Sequence, residues 1–297
     1  EHPASMSAMK KWAKNTRRNH IIVEHNDDSG SVDEQAYVEK LTSDVRVVSI
    51  VHTSPVTGMT VDLEKITKEV RNVTPDCIII VDGIQHSSHG AIDVQKYDID
   101  GYVVSPYKMF SRHGYGVAWA SDRLCTLNKE QLADGPFQNW ELGTRDAGSY
   151  ATFSDVVDYL DWLGSNFTES ENTRERLEAS SIAIKSHEQE LVDLVINGAE
   201  DIVGLRNNKK IRIIGNSAST SREGVVSFFH KNKPSRIIVE ELRQRKIRVH
   251  IRKDDHYCGN ILRPLNQKDC IRFSICHYNS KAEVVEFMKA INEISTN

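Results

Sequence analysis

The 297-residue sequence predicts an α/β fold: a mainly parallel sheet with helices on both faces, followed by a smaller C-terminal α+β domain. Three observations lead there. Short runs of β-branched residues alternate with helical patterns through the first half. Those runs are apolar throughout, as strands covered on both faces are. After a charged helical stretch the strand pattern starts again.

The candidate strands of the first half are Ile21-Ile22-Val23, Val45–Val51, Cys77–Val81, Gly101–Val104 and Val117–Ala120. Between the second and third, Leu63, Ile66 and Val70 recur at helical spacing, so strand, helix and strand make a βαβ unit. Phe153, Val156, Val157, Leu160 and Leu163 mark an amphipathic helix over 151–163. A charged stretch from about Thr168 to Ile202 reads as a long linking helix. Beyond it come Ile211–Ile214, Val225–His230, a helix near Ile237–Gln244, Ile247–Ile251 and Cys270–Ile275. Ser280-Lys281-Ala282-Glu283 has the spelling of a capping box, opening a last helix with Val284, Phe287, Met288 and Ile291 on one stripe. The expected domains are therefore 1–165, a linker over 166–205, and 206–297.

Composition excludes several functional classes. A net charge of −4 gives no electrostatic reason to expect nucleic acid or acidic lipid as partner. The basic cluster Lys10, Lys11, Lys14, Arg17 and Arg18 reads as a solvated helix face. Five cysteines, an odd number without a C-x-x-C pair, point to a reducing compartment, so a cytoplasmic location is expected. No apolar run is long enough for a membrane helix, and no metal site is expected.

Candidate chemistry lies between Ile80 and Ala120. Asp82 follows an apolar strand directly, at the end where open α/β sheets build ligand sites. A second strand ends at Val104 and runs into Ser105-Pro106-Tyr107-Lys108. A lysine with apolar and aromatic neighbours is partly desolvated, which favours imine formation. A carboxylate and a lysine are the two groups that pyridoxal phosphate requires, one for its pyridine nitrogen and one for its aldehyde. Taken singly, each residue has a blander reading: Asp82 as a turn cap, Lys108 as a solvated loop residue.

The order of the motifs decides between these readings. Asp-x-x-Gln after a strand, then Ser-x-x-Lys, then Gly114-x-Gly116-Val117 resembles the cofactor core of the class V aminotransferases, the group that includes cysteine desulfurases. Three further segments agree in order: Glu1-His2-x-Ala4-Ser5, Glu141-Leu142-Gly143-Thr144, and Ile271-Arg272-Phe273-Ser274 followed by His277-Tyr278-Asn279-Ser280. The resemblance spans the whole chain. It implies a fold-type I enzyme with pyridoxal 5′-phosphate as cofactor, an α-amino acid as substrate, and a homodimer as the working form. Lys108 is then the Schiff-base lysine, Asp82 the partner of the pyridine nitrogen, and Gln85 that of the phenolic oxygen. His2 stacks on the ring, and Ser105 meets the phosphate. Thr144 reaches the phosphate of the neighbouring subunit, and Arg272 binds the substrate carboxylate. The family's upstream strand and Gly-Ser/Thr phosphate loop precede this His, so the chain is expected to lack that N-terminal part.

Tyr107 stands where desulfurases carry His, Ser111-Arg112-His113-Gly114 where Gly-Pro is common, and Thr53-Ser54-Pro55 where they have an Asn. Cys258, in His256-Tyr257-Cys258-Gly259, resembles the desulfurase nucleophile loop and is the candidate catalytic thiol. The expected activity is that of a cysteine desulfurase-like lyase or an aminotransferase. The alternative is a non-catalytic remnant of the fold that serves as a dimerisation or scaffold module.

Overall fold

The computed structural model describes residues 2–296, with Ser219 by its backbone alone. The chain forms two compact units. One comprises Leu41–His52 and Leu63–Ser181; the other comprises the described residues of Glu1–Lys40, Thr53–Asp62 and Ile182–Asn297. The sequence divides the chain at 165 and 205, whereas here the first forty residues and the 53–62 loop group with the C-terminal residues.

Helix α1 (Pro3–Asn15) is capped by His2, whose Nδ1 accepts from the Ala4 amide at 3.1 Å, with Pro3 in the first turn. Helix α2 (Glu34–Val38) is capped by Asp33. Strand β1 (Val47–Val51), helix α3 (Leu63–Val73) and strands β2 (Ile78–Asp82), β3 (Gly101–Val104) and β4 (Val117–Ala120) follow. Their sheet has the order β1-β2-β3-β4, with the first three strands parallel and β4 antiparallel to β3. Helix α3 buries Leu63, Ile66 and Val70, as their spacing predicts. Helix α4 (Asp122–Cys125), helix α5 (Ala147–Gly164) and the first part of α6 (Thr173–Asn197) complete this unit.

Asp100, at the entrance to β3, is 1% exposed and ties these elements together. Its Oδ2 accepts from Arg71 at 3.0 Å, Arg123 at 2.9 Å and the Ile79 amide at 2.8 Å. Its Oδ1 accepts from Arg123 at 2.7 Å and Ser121 at 3.1 Å. Burial alone would raise this carboxyl; the donors from Arg123, Ile79, Arg71 and Ser121 outweigh it and hold Asp100 below the usual carboxylate range.

The other unit begins its sheet after the short hairpin of β5 (Gly198–Ala199) and β6 (Ile202–Val203). Strands β7 (Ile211–Ile213) and β8 (Val225–His230), helix α7 (Ser235–Gln244), strand β9 (His250–Lys253), helix α8 (Gly259–Leu262), strand β10 (Asp269–Ser274) and helix α9 (Lys281–Thr296) follow in that order. The sheet is antiparallel throughout, in the order β7-β8-β10-β9. Phe228 and Ile271 pack with Ile238 and Leu242 of α7 and with Phe287 and Ile291 of α9. The capping box at Ser280 is formed: the Ser280 amide donates to Glu283 at 2.7 Å, and the Glu283 amide donates to the Ser280 hydroxyl at 3.3 Å.

The loop over 53–62 is pinned within this unit. Gly58, at φ +77°, lies so close to Val225 that a Cβ would stand 2.2 Å from its carbonyl oxygen. Buried Arg222 donates to the carbonyls of Thr57, Val225, Ile214 and Asn216, and burial lowers its pKa to about 10.

One expected strand is absent. Ile21 and Ile22 are 50% and 51% exposed in irregular chain, and among the described residues no strand pairs with them.

The Asp100 cluster gives a stability prediction. Asp100→Asn should cost about 3 kcal/mol in urea unfolding at pH 7, since it leaves two guanidinium groups facing a neutral amide. Because the folded pKa is depressed, the contribution is complete above the unfolded value of about 3.9 and fades as pH falls below it. The gap between parent and variant should therefore close in acid, and a gap constant with pH would contradict the account.

Candidate functional site

The candidate cofactor residues Asp82, Gln85, Ser105 and Lys108 lie at the C-terminal ends of adjacent parallel strands. Asp82 is the last residue of β2 and pairs in register with Val103 of β3. Its Oδ1 accepts from the Ile84 amide at 3.1 Å, which turns the chain out of the strand. Gly83 still donates to the Val103 carbonyl at 3.0 Å. A Cβ on Gly83 would lie 2.1 Å from the Tyr102 ring, so this turn admits no side chain. Tyr102 is held in turn by His52, whose Nδ1 lies 2.8 Å from its hydroxyl; the His52 ring stacks on His86 at 3.6 Å.

Beyond β3, Pro106–Met109 form a single 3-10 turn that carries Lys108, closed by the Lys108 amide donating to the Ser105 carbonyl at 2.9 Å. Phe110 ends it in the left-handed region at φ 70°. The Lys108 amine donates to Gln85 Oε1 at 3.0 Å, and Gln85 Nε2 lies 3.1 Å from His89 Nε2. Gln85 and Lys108, expected at one site from sequence alone, are thus in direct contact. Ser105 is half-buried at the start of the turn, and its side chain makes no capping hydrogen bond. Tyr107, which replaces the His of desulfurases, is 41% exposed and stacks on His113 at 4.3 Å. Thr144 is exposed in a segment that also exposes Leu132, Phe137, Trp140 and Leu142.

His2, Cys258 and Arg272 belong to the other unit. The His2 ring caps α1 and lies 5.5 Å from the Tyr257 ring; Glu1 lies outside the described residues. Arg272, on β10 opposite Ser227 and His250, donates to the Pro55 carbonyl at 3.2 Å. Thr53–Pro55, the segment that replaces the expected Asn, therefore contacts the candidate carboxylate-binding arginine. Cys258 is 2% exposed among Val56, Phe229, Ile261, Leu262 and Cys270. Burial pushes its thiol up, and pushes that of Cys270 up to about 12.

The family model for class V aminotransferases matches residues 1–287. The chain belongs to this family. A probable cysteine desulfurase of Pseudomonas putida is 23% identical over 309 residues, covering 99% of this chain and 69% of that protein. The aminotransferase-like protein FGM3 of Gibberella zeae is 26% identical over 263 residues, covering 86% and 60% respectively. The chain thus spans 60–69% of the length of these two curated relatives. A solved cysteine desulfurase structure from Thermococcus onnurineus shares the fold at a TM-score of 0.79 and 19% identity, over all of this chain and 71% of its own.

Within this class V aminotransferase chain, sequence reasoning missed His89, which is 4% exposed and bonded to Gln85, and the His52–His86 stack. The i,i+4 spacing of Gln85 and His89 was a usable signal, because it places two side chains over one turn.

The burial of Cys258 predicts its reactivity. Iodoacetamide at pH 7 should leave Cys258 and Cys270 unmodified in the folded protein and label both after unfolding in urea, as read by peptide mass spectrometry. Rapid labelling of Cys258 in the native protein would show an exposed thiolate instead.

Proposed function

We propose that this chain is the catalytic part of a pyridoxal-phosphate-dependent enzyme acting on an α-amino acid, as a cysteine desulfurase-like lyase or an aminotransferase. The observation that carries this reading is the Lys108–Gln85 hydrogen bond of 3.0 Å, on two loops that leave adjacent parallel strands just after Asp82 and Val104. The donor set fits the cofactor. A carboxylate at a strand end suits a protonated ring nitrogen, a half-buried amine suits an aldehyde, and an amide with a remaining hydrogen suits a phenolate.

When bound, pyridoxal phosphate supplies an electron sink that weakens the bonds to the substrate's Cα. Asp82 would keep a proton on the ring nitrogen by charge pairing. Gln85 would donate to the phenolic oxygen, and Ser105 to the phosphate. Lys108 would hold the aldehyde at rest and then move the proton at the substrate Cα. The planar guanidinium of Arg272 offers two parallel donors, which suits a carboxylate.

Two features bear on the kind of reaction. The buried, protonated Cys258 favours an aminotransferase or a lyase that needs no protein thiolate; its neighbours support a packing role. The exposed apolar residues around Thr144 favour a second copy of the chain as partner, since monomers rarely leave such patches uncovered.

Two measurements test these readings. Borohydride reduction of the protein loaded with pyridoxal phosphate should fix the cofactor on the peptide that contains Lys108. Attachment at another lysine, or none, would end the assignment. Light scattering should give a dimer for the parent, and Phe137→Asp combined with Trp140→Glu should shift it towards monomer. A parent that is monomeric at all concentrations would remove the case for a shared site.

A further inference from the structure

His89 sits four residues after Gln85 across the 3-10 turn His86–Ser88, with its amide donating to the His86 carbonyl at 2.8 Å. At 4% exposure it is shielded from water that could substitute for a side-chain partner. The chain of contacts runs from Lys108 Nζ to Gln85 Oε1 at 3.0 Å, then from Gln85 Nε2 to His89 Nε2 at 3.1 Å. Hydrogen-bond chemistry constrains this chain. An ammonium has donors and no acceptor, so the amide atom facing Lys108 has to be the oxygen. The amide nitrogen then faces His89, and it too is only a donor. Nε2 of His89 must therefore carry a lone pair, which makes the ring neutral with its proton on Nδ1. With the proton on Nε2 the amide would have to turn over, setting its NH2 group against the lysine ammonium, donor against donor.

We propose that His89 is a positioning residue that fixes the polarity of the Gln85 amide: as the Nδ1–H tautomer, it keeps Oε1 towards Lys108 and leaves the second amide hydrogen for the cofactor. The cofactor part rests on the reading of Gln85 as a contact of pyridoxal phosphate. The tautomer part stands on the hydrogen bonds alone.

Each part has its own test. In protein labelled with 15N-histidine and free of cofactor, the signal lost in His89→Leu identifies His89. A pyridine-type Nε2 with a pyrrole-type Nδ1 is expected, and a pyrrole-type Nε2 overturns the proposal whatever the cofactor does. For the cofactor part, equilibrium dialysis measures the dissociation constant of pyridoxal phosphate. His89→Leu should weaken binding roughly tenfold, as expected when one buried polar group loses its orienting partner. His89→Gln, whose side-chain oxygen can accept from the amide, should recover most of the loss. Because His89 acts through Gln85, the double variant Gln85→Leu/His89→Leu should bind no more weakly than Gln85→Leu alone. Additive losses in that cycle, or equal binding in all variants with urea midpoints unchanged, overturn the positioning role. A parent protein that takes up no pyridoxal phosphate overturns the proposed function and the cofactor part, and leaves the tautomer result to be judged separately.

Discussion

The site depends first on the parallel register of β2 and β3, in which Asp82 lies opposite Val103. Side chains alternate along a strand, so a slip of one residue would turn Asp82 to the other face of the sheet. The ladder continues one step past the strand, through Gly83 to the Val103 carbonyl. The two chains then part, one into the turn carrying Gln85 and the other into the turn carrying Lys108. Their separation at that point sets the 3.0 Å contact between amide and amine. Gly83 is required because Tyr102 fills the space of its missing side chain, and Tyr102 is fixed by His52 from the end of β1. Three strand ends are thereby tied to one another beneath the candidate site. This placement on rigid elements is what precise positioning of reactive groups requires.

Much of this arrangement is legible in the sequence. Strands β3 and β4 fall on the residues that their apolar runs mark, and the capping box at Ser280 forms as spelled. Local chemistry decides both features, so a local pattern reveals them. Ile21–Val23 has an equally good local pattern and forms no strand, because a strand needs a partner that its own residues cannot supply. Arg222 was equally hidden. Its value lies in four carbonyls gathered from the 53–62 loop, from the chain that follows β7 and from the start of β8, up to 165 residues away in sequence. Asp100 reads in the sequence as one acidic residue among several, and only folding brings it two arginines.

Cys258 shows the same limit at the level of chemistry. Its neighbours His256, Tyr257 and Gly259 spell a reactive loop, and a spelling carries no information about depth. Depth comes from Val56 in the 53–62 loop and from Phe229 and Cys270 on the sheet, which close over the sulfur. A thiol in apolar surroundings stays protonated, since a thiolate there would lack solvation. Arg272 has the opposite history. Its motif indicates a cation, and the structure adds the Pro55 carbonyl as an anchor that orients the guanidinium without neutralising its charge.

The two carboxylates at opposite ends of the β2–β3 pair show how one sheet serves both stability and chemistry. At the entrance, Asp100 is buried and saturated: five donors from four residues fill both oxygens, and two of those residues carry positive charge. Such a group has no capacity left for a ligand, and its charge is cancelled where it sits. At the exit, Asp82 is only half-buried, and its Oδ1 bond to Ile84 is made within its own turn. Lys108 is carried by a single 3-10 turn, and its amine donates to the neutral amide of Gln85. The amide oxygen of Gln85 can accept a hydrogen bond from an ammonium and from a neutral amine alike. One end of the β2–β3 pair thus carries the ion pairs of Asp100 with two arginines, and the other carries the contact of Lys108 with Gln85.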